Sequence, residues 1–320
     1  MPDTVSQYDA RGRLRHLVTL EGMSRDLIVE ILDRAESFLT PFGDKPARNA
    51  SLAGRTVANL FFEPSTRTRA SFELAAKRLG ADVLSLDVST SSRAKGESLL
   101  DTIWTLQAMQ GDVFVVRDAQ SGVPAFICEH VAPHVAVLNA GESHLNHPTQ
   151  GLLDTLTIRL SKRRIEGLVV AILGDIQHSR VARSTHQALT ALGVGELRLA
   201  APAALAPDPA DFPGAVMAGS IDEAVRDADV VMALRIQRER LPAGTSPDPE
   251  DFHREYGLTP ERLGLAKPDA IVMHPGPMNR EVEIASAVAD SPRSVITRQV
   301  TSGVAVRMAV MQMVMETLHG

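Results

Sequence analysis

Cysteine is almost absent from this chain of 320 residues, because Cys128 is the only one. A single cysteine cannot form an internal disulfide, and it cannot supply a cysteine-rich zinc site. Long apolar runs are missing too, and no stretch reaches the length of about 20 residues that a membrane-spanning helix needs. Residues 1–23 contain no apolar segment typical of a secretory signal. We therefore expect a cytoplasmic protein with no membrane partner.

Positive charge is also in short supply. The chain has 33 lysine and arginine residues against 39 aspartate and glutamate residues, which gives a formal net charge of −6. Domains that bind nucleic acid tend to be basic, so this balance argues against a nucleic-acid partner. Hydrophobic residues make up 44% of the chain, which is enough for a sizeable core. A local arginine cluster stands out against this acidic background and would suit a small anionic ligand.

Short apolar runs alternate with helical patterns along the whole chain. The predicted strands cover residues 56–62, 81–87, 112–118, 135–140, 168–175, 229–235 and 270–275. Strands that alternate with helices form parallel sheets with right-handed crossovers. We therefore predict an α/β fold with two doubly wound parallel-sheet domains and an active site in the crevice between them.

The predicted domain boundary falls near a helix over residues 148–162. The first domain comprises residues 1–150 and the second comprises residues 151–295. We expect the C-terminal helix, about residues 296–320, to pack back on the first domain. No internal repeat interrupts this division.

Two regions in the second half have distinctive compositions. Residues 236–262 are charged and rich in proline, and we predict a mobile loop there. Met308, Met311 and Met315 lie at helical spacing near the C-terminus. A methionine stripe of this kind usually fills a core, so we predict that all three are buried.

The segment FFEPSTRTRASFE, residues 61–73, joins the end of a predicted strand to a predicted helix over residues 65–79. Ser65 can cap this helix, whose first N–H groups and partial positive charge attract an anion. Arg67 and Arg69 add further positive charge, and a guanidinium matches the geometry of phosphate oxygens. On these residues alone, an ordinary capped helix with solvated arginines is an equal alternative.

Polar side chains follow other predicted strands in the same way. They are Arg117, His147, Gln150, Arg180, Arg235 and Gln237. Each one alone is typical of a solvated charge or a structural side chain. Because ligands bind at the carboxyl edge of parallel sheets, we expect these residues to converge there. Several cations imply several negative groups, so a phosphate and a dicarboxylate would fit, whereas the missing GxGxxG pattern argues against a nicotinamide cofactor.

Six motifs occur in order across nearly the whole chain. They are PSTRTR, KGES, HPTQ, GD followed by SR, RIQRER and HPGPMNR. This set resembles the signature of the aspartate/ornithine carbamoyltransferase family. RIQRER and HPGPMNR resemble the aspartate branch, and the Cys-Leu-Pro turn and the Asp/Ser-Met-Gly segment of the ornithine branch are absent. One departure is Glu281, which stands where the family pattern has glycine after the Asn-Arg pair.

The resemblance implies transfer of a carbamoyl group from carbamoyl phosphate to the amine of aspartate, without a metal or another cofactor. The implied carbamoyl phosphate ligands are Ser65, Thr66, Arg67, Thr68, Arg117, His147, Gln150, Pro275 and Gly276. The implied catalytic residues among them are Thr68, Arg117, His147 and Gln150. The implied aspartate ligands are Lys95, Arg180, Arg235 and Gln237.

The resemblance also implies a homotrimer in which Ser91 and Lys95 enter the active site of the neighbouring subunit. Regulatory or dihydroorotase-like chains are further partners that the family allows. Two alternatives stay open: a carbamoyltransferase with another amino-acid acceptor, and a catalytically silent homologue that scaffolds a partner enzyme. RIQRER and HPGPMNR argue against the first alternative, and the full set of expected ligands argues against the second.

Overall fold

The structure is a computed structural model that describes residues 7–41, 43–87, 98–242 and 244–319. The chain divides into two compact units. Unit 1 extends to Leu152 and includes the chain from Thr301 onward, and unit 2 is Leu153–Val300. Each unit is built on its own parallel sheet with helices between the strands, so the predicted pair of doubly wound α/β units is confirmed.

Unit 1 contains a four-stranded sheet in the order β2-β1-β3-β4. Its elements are α1 (Arg25–Ser37), β1 (Thr56–Phe61), α2 (Thr66–Arg78), β2 (Asp82–Asp87), α3 (Leu99–Ala108), β3 (Val113–Asp118), α4 (Val123–His130), β4 (Ala136–Glu142), the start of α5 (Pro148–Lys162) and most of α11 (Ile296–His319). In the registers, Val116 of β3 pairs with Leu60 on one side and with Asn139 on the other. All neighbouring strands are parallel, so the carboxyl ends of β1, β3 and β4 lie along one edge.

The helix limits in unit 1 follow from local chemistry. The Ser24 hydroxyl accepts a hydrogen bond from the Leu27 N–H and so caps α1. Helix α2 ends just before Gly80, whose φ of +83° is a left-handed conformation that glycine adopts without strain. The strands are apolar on both faces because helices cover both faces of a doubly wound sheet. Leu60, Phe114 and other strand residues are consequently fully buried.

The C-terminal helix α11 supplies part of the core. Met308 and Met311 are fully buried and Met315 is 5% exposed, which confirms their predicted role as core residues. In unit 1 the Arg307 guanidinium lies 4.8 Å from the centre of the Phe72 ring of α2. This cation–π contact therefore stabilises the packing of α11 against α2.

Unit 2 contains a five-stranded parallel sheet in the order β7-β6-β5-β8-β9. Its elements are β5 (Val169–Gly174), α6 (Arg180–Ala191), β6 (Glu196–Ala200), β7 (Val216–Met217), α7 (Ile221–Val225), β8 (Val230–Leu234), α8 (Pro249–Tyr256), α9 (Pro260–Leu263), β9 (Ile271–Met273) and α10 (Ser286–Ala289). The core of this unit includes Leu173, Val231 and Val272 from three adjacent strands. The carboxyl ends of β5, β8 and β9 share one edge of this sheet.

The prediction of a loop throughout residues 236–262 is wrong. A short 3-10 helix (Arg238–Arg240), helix α8 and the start of α9 occupy about half of this region. Asp248 and Thr259 cap the two α-helices, and each cap is followed by a proline at the first helical position. Proline is favoured there because its missing N–H is not needed and its φ suits a helix. The Asp-Pro and Thr-Pro pairs were therefore helix starts that the sequence analysis read as loop signals.

Burial holds this region in place. Phe252 of α8 is 2% exposed and packs with Leu205 and Ile236 in a small apolar cluster.

Within the part of the chain that the structure describes, no helix is long and apolar enough to cross a membrane.

Candidate active site

The turn between β1 and α2 leads into a helix whose first turn carries no acidic side chain. Ser65 is the N-cap residue of α2, but its side chain makes no capping hydrogen bond. Thr66 and Arg67 are exposed, and Thr68 is half-buried. This arrangement favours anion binding over an ordinary capped helix, because the hydroxyl is not used by the helix and the dipole is not offset in that turn.

Arg117 lies beside this turn at the carboxyl end of β3. It pairs in register with Phe61, the last residue of β1. The guanidinium is buried, and it donates to the Ala140 carbonyl at 3.2 Å and to the Glu63 carboxylate at 3.2 Å. Glu63 stands two residues before Ser65, so this ion pair brings the arginine next to the start of α2.

His147 and Gln150 follow the next strand, β4. Both are buried, with 4% and 8% exposure, and the Gln150 N–H donates to the His147 carbonyl at 2.8 Å. The loop that carries His147 is fastened by the buried carboxylate of Glu142. This carboxylate accepts from Asn146 Nδ2 at 2.7 Å and from the Gly122 N–H at 2.9 Å. Residues that the sequence analysis assigned to carbamoyl phosphate thus follow three adjacent strands of unit 1 at one edge.

In unit 2, a buried aspartate joins the ends of β5 and β8. Asp175 is fully buried and accepts from the His178 ring at 2.8 Å and from the Gln237 N–H at 2.9 Å. Arg180 begins α6 in the same turn and is 7% exposed. The Ser179 hydroxyl caps that helix by accepting from the Ala182 N–H at 3.1 Å. Asp175 therefore sets the positions of the two segments that carry Arg180 and Gln237.

Arg235 follows β8 and already holds a carboxylate. Its two terminal nitrogens donate to both oxygens of Glu239, and the Nη1–Oε2 distance is 3.0 Å. One of these nitrogens also donates to the Gln237 amide oxygen at 3.2 Å. The hydrogen bonds to Glu239 raise the pKa of Arg235, and the same bonds lower the pKa of Glu239. This site therefore has the charge and geometry of a carboxylate receptor.

The turn after β9 contains Pro275 and Gly276. Its main chain is held by the buried side chain of His274, whose Nδ1 accepts the Gly276 N–H at 2.8 Å. The other ring nitrogen lies 3.0 Å from the Glu283 carboxylate, which also accepts the Asn279 N–H at 2.6 Å. The site residues of unit 2 thus follow β5, β8 and β9, which are adjacent strands.

Two residues that the sequence assigns to the site belong to one short segment. Ser91 and Lys95 fall in residues 88–97, outside the described residues. Among the residues that are described, no group of three or more histidine, cysteine, aspartate and glutamate side chains could hold a metal ion.

The acidic side chains that bind the site arginines or hold the site loops were not predicted from the sequence. They are Glu63, Glu142, Asp175, Glu239 and Glu283. Two had a usable signal: Asp175 is the last residue of the predicted strand 168–175, and Glu239 lies four residues after Arg235. The others gave none, because their partners are set by the packing of distant segments.

Two family models match the chain. The model described as "Aspartate/ornithine carbamoyltransferase, carbamoyl-P binding domain" matches residues 15–160. The model described as "Aspartate/ornithine carbamoyltransferase, Asp/Orn binding domain" matches residues 166–314. Together the two models account for most of the chain, and they occur in the order of the two units.

Solved structures agree with this assignment. Aspartate transcarbamoylase from Trypanosoma cruzi in complex with aspartate and phosphate is 31% identical, with a TM-score of 0.81 over 97% of this chain and 98% of that chain. The same enzyme with N-(phosphonacetyl)-L-aspartic acid is 32% identical, with a TM-score of 0.84 over 95% and 97% of the two chains. Ornithine carbamoyltransferase from Thermus thermophilus is 24% identical, with a TM-score of 0.83 over 94% of this chain and 99% of that chain. At this identity the likeness shows the shared fold alone. The chain therefore belongs to the aspartate/ornithine carbamoyltransferase family.

Proposed function

We propose that this chain is an aspartate carbamoyltransferase, which converts carbamoyl phosphate and L-aspartate to N-carbamoyl-L-aspartate and phosphate. The observation that carries the choice of acceptor is the Arg235 guanidinium, which already binds the Glu239 carboxylate through two nitrogens. Relatives at 31% and 32% identity bind aspartate with phosphate, or N-(phosphonacetyl)-L-aspartic acid. A receptor for carboxylates in this position supports an acidic acceptor.

Carbamoyl phosphate would bind through residues of unit 1. Its phosphate would lie at the start of α2, where Ser65, Thr66, Arg67 and Thr68 supply hydroxyl, N–H and guanidinium donors. An anion at a helix start is favoured by the unpaired N–H groups and by the helix dipole. Arg117 would bridge the phosphate and the carbonyl oxygen.

The chemical step is attack by the aspartate amine on the carbonyl carbon. A C–N bond forms, the tetrahedral intermediate carries an oxyanion, and the C–O bond to phosphate then breaks. Phosphate leaves with the bonding electrons, and the nitrogen loses a proton. Thr68, Arg117 and His147 would stabilise the oxyanion, and removal of one such donor typically costs about 10²–10³ in rate. Gln150 and the Pro275 and Gly276 carbonyls would orient the carbamoyl NH₂ and the incoming amine.

Aspartate would be held by its two carboxylates. Arg180 and Arg235 would each take one of them, with support from Gln237 and Lys95. Arginine suits this task because its planar fork binds both carboxylate oxygens. Residues from segments far apart in the chain would thus align two substrates, and such alignment can contribute about 7–11 kcal/mol to lowering the barrier.

The functional state proposed is a cytoplasmic homotrimer in which Ser91 and Lys95 complete the neighbouring subunit's site. Helix α3 follows residues 88–97 closely; its Trp104 is 52% exposed, and Met109, which caps its C-terminus, is 63% exposed. Large apolar side chains on one helix support an interface at this point. We propose no nucleic-acid partner, because the chain has a formal net charge of −6, and no membrane partner.

The test is a steady-state assay with carbamoyl phosphate and a panel of amino acids. The purified chain should release phosphate and form a carbamoylated product with L-aspartate, and L-ornithine and neutral amino acids should not replace it. Turnover with another amino acid would identify a different carbamoyltransferase. No turnover with any acceptor would favour the silent scaffold.

A further inference from the structure

A buried chain of polar side chains runs through unit 2 behind the turn that follows β9. The Thr185 hydroxyl donates to Asp154 at 3.0 Å, and Gln299 Nε2 donates to the other oxygen of Asp154 at 2.8 Å. The Gln299 oxygen accepts the main-chain N–H of His274 at 2.9 Å. All these side chains are at least 98% buried, and so is Glu283 beside the His274 ring. The network therefore holds the main chain at His274, the residue whose ring lies beside Glu283.

The hydrogen bonds of the ring allow only one tautomer. The Gly276 N–H can only donate, so Nδ1 of His274 must accept and carries no proton. Nε2 must then carry the proton and donate it to the Glu283 carboxylate at 3.0 Å. The Asn279 N–H donates to the same carboxylate oxygen at 2.6 Å, which holds Glu283 in place. His274 is thus neutral, with Nδ1 held as an acceptor below the turn.

The bond to Nδ1 also sets the direction of a carbonyl. The Gly276 N–H and the Pro275 C=O belong to the same peptide unit, which is planar, and in its trans form the two groups point in opposite directions. When His274 holds the N–H on one side, the Pro275 oxygen must point to the other side. A rotation of this peptide would break the bond to the ring and redirect the oxygen.

We propose that His274 is a positioning residue that aims the Pro275 carbonyl at the carbamoyl NH₂ group and the incoming amine. The proposal rests on the proposed function, which gives this carbonyl its substrate. Glu283 acts one step further back, because it fixes the tautomer in which Nδ1 can accept. His274 itself touches no substrate in this role.

Two substitutions separate the bonds of the ring. His274→Asn places an amide oxygen near the position of Nδ1, so it can still accept the Gly276 N–H but cannot reach Glu283. His274→Gln places an amide nitrogen near the position of Nε2, so it can still donate to Glu283 but loses the Gly276 bond. Each variant loses one bond from the same buried site, which makes them matched controls for stability.

We expect the two variants to differ in kcat. His274→Gln should lower kcat by about 10²-fold, as expected for a reactant misplaced by about 1 Å. His274→Asn should lose far less, and both variants should bind inorganic phosphate as the wild type does. Equal losses of kcat in the two variants, or losses that follow thermal stability, would overturn the proposal. So would a larger loss in His274→Asn.

Two measurements do not depend on turnover. Crystal structures of both variants should show the Pro275–Gly276 peptide rotated in His274→Gln and unchanged in His274→Asn; an unrotated peptide in His274→Gln overturns the proposal. Should that variant not fold, ¹⁵N NMR of ring-labelled histidine in the wild type decides, because a proton on Nδ1 of His274 contradicts the proposal and a proton on Nε2 supports it. An inactive wild type would reject the proposed function, while these two measurements would still decide whether His274 sets the direction of the Pro275 carbonyl.

Discussion

Arg235, the proposed aspartate ligand, is already paired with a carboxylate of its own chain. Glu239 occupies the guanidinium through two hydrogen bonds, yet the Glu239 side chain is 53% exposed. Ion pairs open to water contribute only about 0–1 kcal/mol, so an incoming carboxylate can replace Glu239 at little cost. The internal pair keeps the guanidinium extended from the end of β8 and oriented for a carboxylate.

Arg235→Ala should raise the KM for aspartate by at least about tenfold, because a hydrogen bond to a charged group contributes roughly 1.5–3 kcal/mol. The affinity for carbamoyl phosphate should stay nearly unchanged, since its proposed ligands lie elsewhere. Arg235→Lys should not restore aspartate binding, because an ammonium lacks the planar fork. Initial-rate kinetics with each substrate varied in turn measure both effects.

Arg238→Ala is the matched control. Arg238 is exposed, lies three residues further along the same segment, and has no proposed role. The aspartate KM of this variant should equal that of the wild type. Equal weakening of both substrates by Arg235→Ala would show that Arg235 does not bind aspartate.

His16 makes the stability of unit 1 depend on pH. Its ring is 2% exposed, and Nδ1 accepts the Val137 N–H at 3.0 Å on the edge strand β4. Burial, with a smaller contribution from the Arg15 charge, lowers the pKa of His16 from 6.5 to about 4. The unfolded chain therefore binds a proton at His16 between these pH values and the folded chain does not. Consequently the free energy of unfolding rises with pH across this window, by up to about 3 kcal/mol.

His16→Asn should flatten that dependence, because asparagine can accept the Val137 N–H but does not titrate. Urea unfolding of the wild type and the variant at a series of pH values between about 4 and 6.5 compares the two slopes. The same slope in both proteins would show that other groups cause the pH dependence.

At the scale of elements, the sequence was most informative where burial and caps act locally. The central strands of both sheets are apolar runs between turn residues, and α2 (Thr66–Arg78) ends within one residue of its predicted limit. The strand orders and the partners of Arg117 and Arg235 could not be predicted, because they depend on which segments meet in space. Helix α8 was missed because its charged surface and proline resemble a loop, while one buried residue, Phe252, holds it.

The turn between β9 and α10 contains the departure from the family pattern. Glu281 has a φ of +59°, a left-handed conformation that costs a residue with a side chain about 1–2 kcal/mol. This explains why glycine is the pattern residue at this position. In compensation, the Glu281 carboxylate accepts the Ser286 N–H at 2.8 Å at the start of α10, and this bond lowers the pKa of Glu281.

Comparing Glu281→Gly with Glu281→Ala isolates the strain, because both variants lose the bond to Ser286. The free energy of unfolding of the glycine variant should be about 1 kcal/mol higher than that of the alanine variant. At Arg254, an exposed position in α8, the order should reverse, since glycine in a helix is less stable than alanine by roughly 1 kcal/mol. Chemical denaturation of the four variants tests this, and an alanine advantage at both positions would contradict the strain.

At the scale of the whole molecule, the proposed trimer makes each active site depend on two chains. Residues 88–97 carry Ser91 and Lys95, and the next helix, α3, carries the exposed side chain of Trp104. If residues 88–97 act in the neighbouring subunit's site, that would explain why Lys95 lies apart in the sequence from the strand ends that carry the other proposed ligands. The consequence is measurable by mixing defective subunits.

Arg67→Ala and Lys95→Ala should each be inactive alone and should complement each other after trimers are dissociated and mixed in equal amounts. In a closed ring, about three-quarters of random trimers are mixed, and each mixed trimer has one site with both residues intact, so about a quarter of wild-type activity should return. Either variant treated alone is the control. If mixing restores nothing, then Lys95 serves the site of its own chain.

The proposed reaction of this chain is the carbamoylation of aspartate. The most direct measurement uses ¹³C-labelled carbamoyl phosphate with equal concentrations of L-aspartate and L-ornithine, followed by ¹³C NMR and phosphate analysis. The label should appear in N-carbamoyl-L-aspartate, with one phosphate released per product. Label in carbamoylated ornithine, or phosphate release without any carbamoylated amino acid, would contradict it.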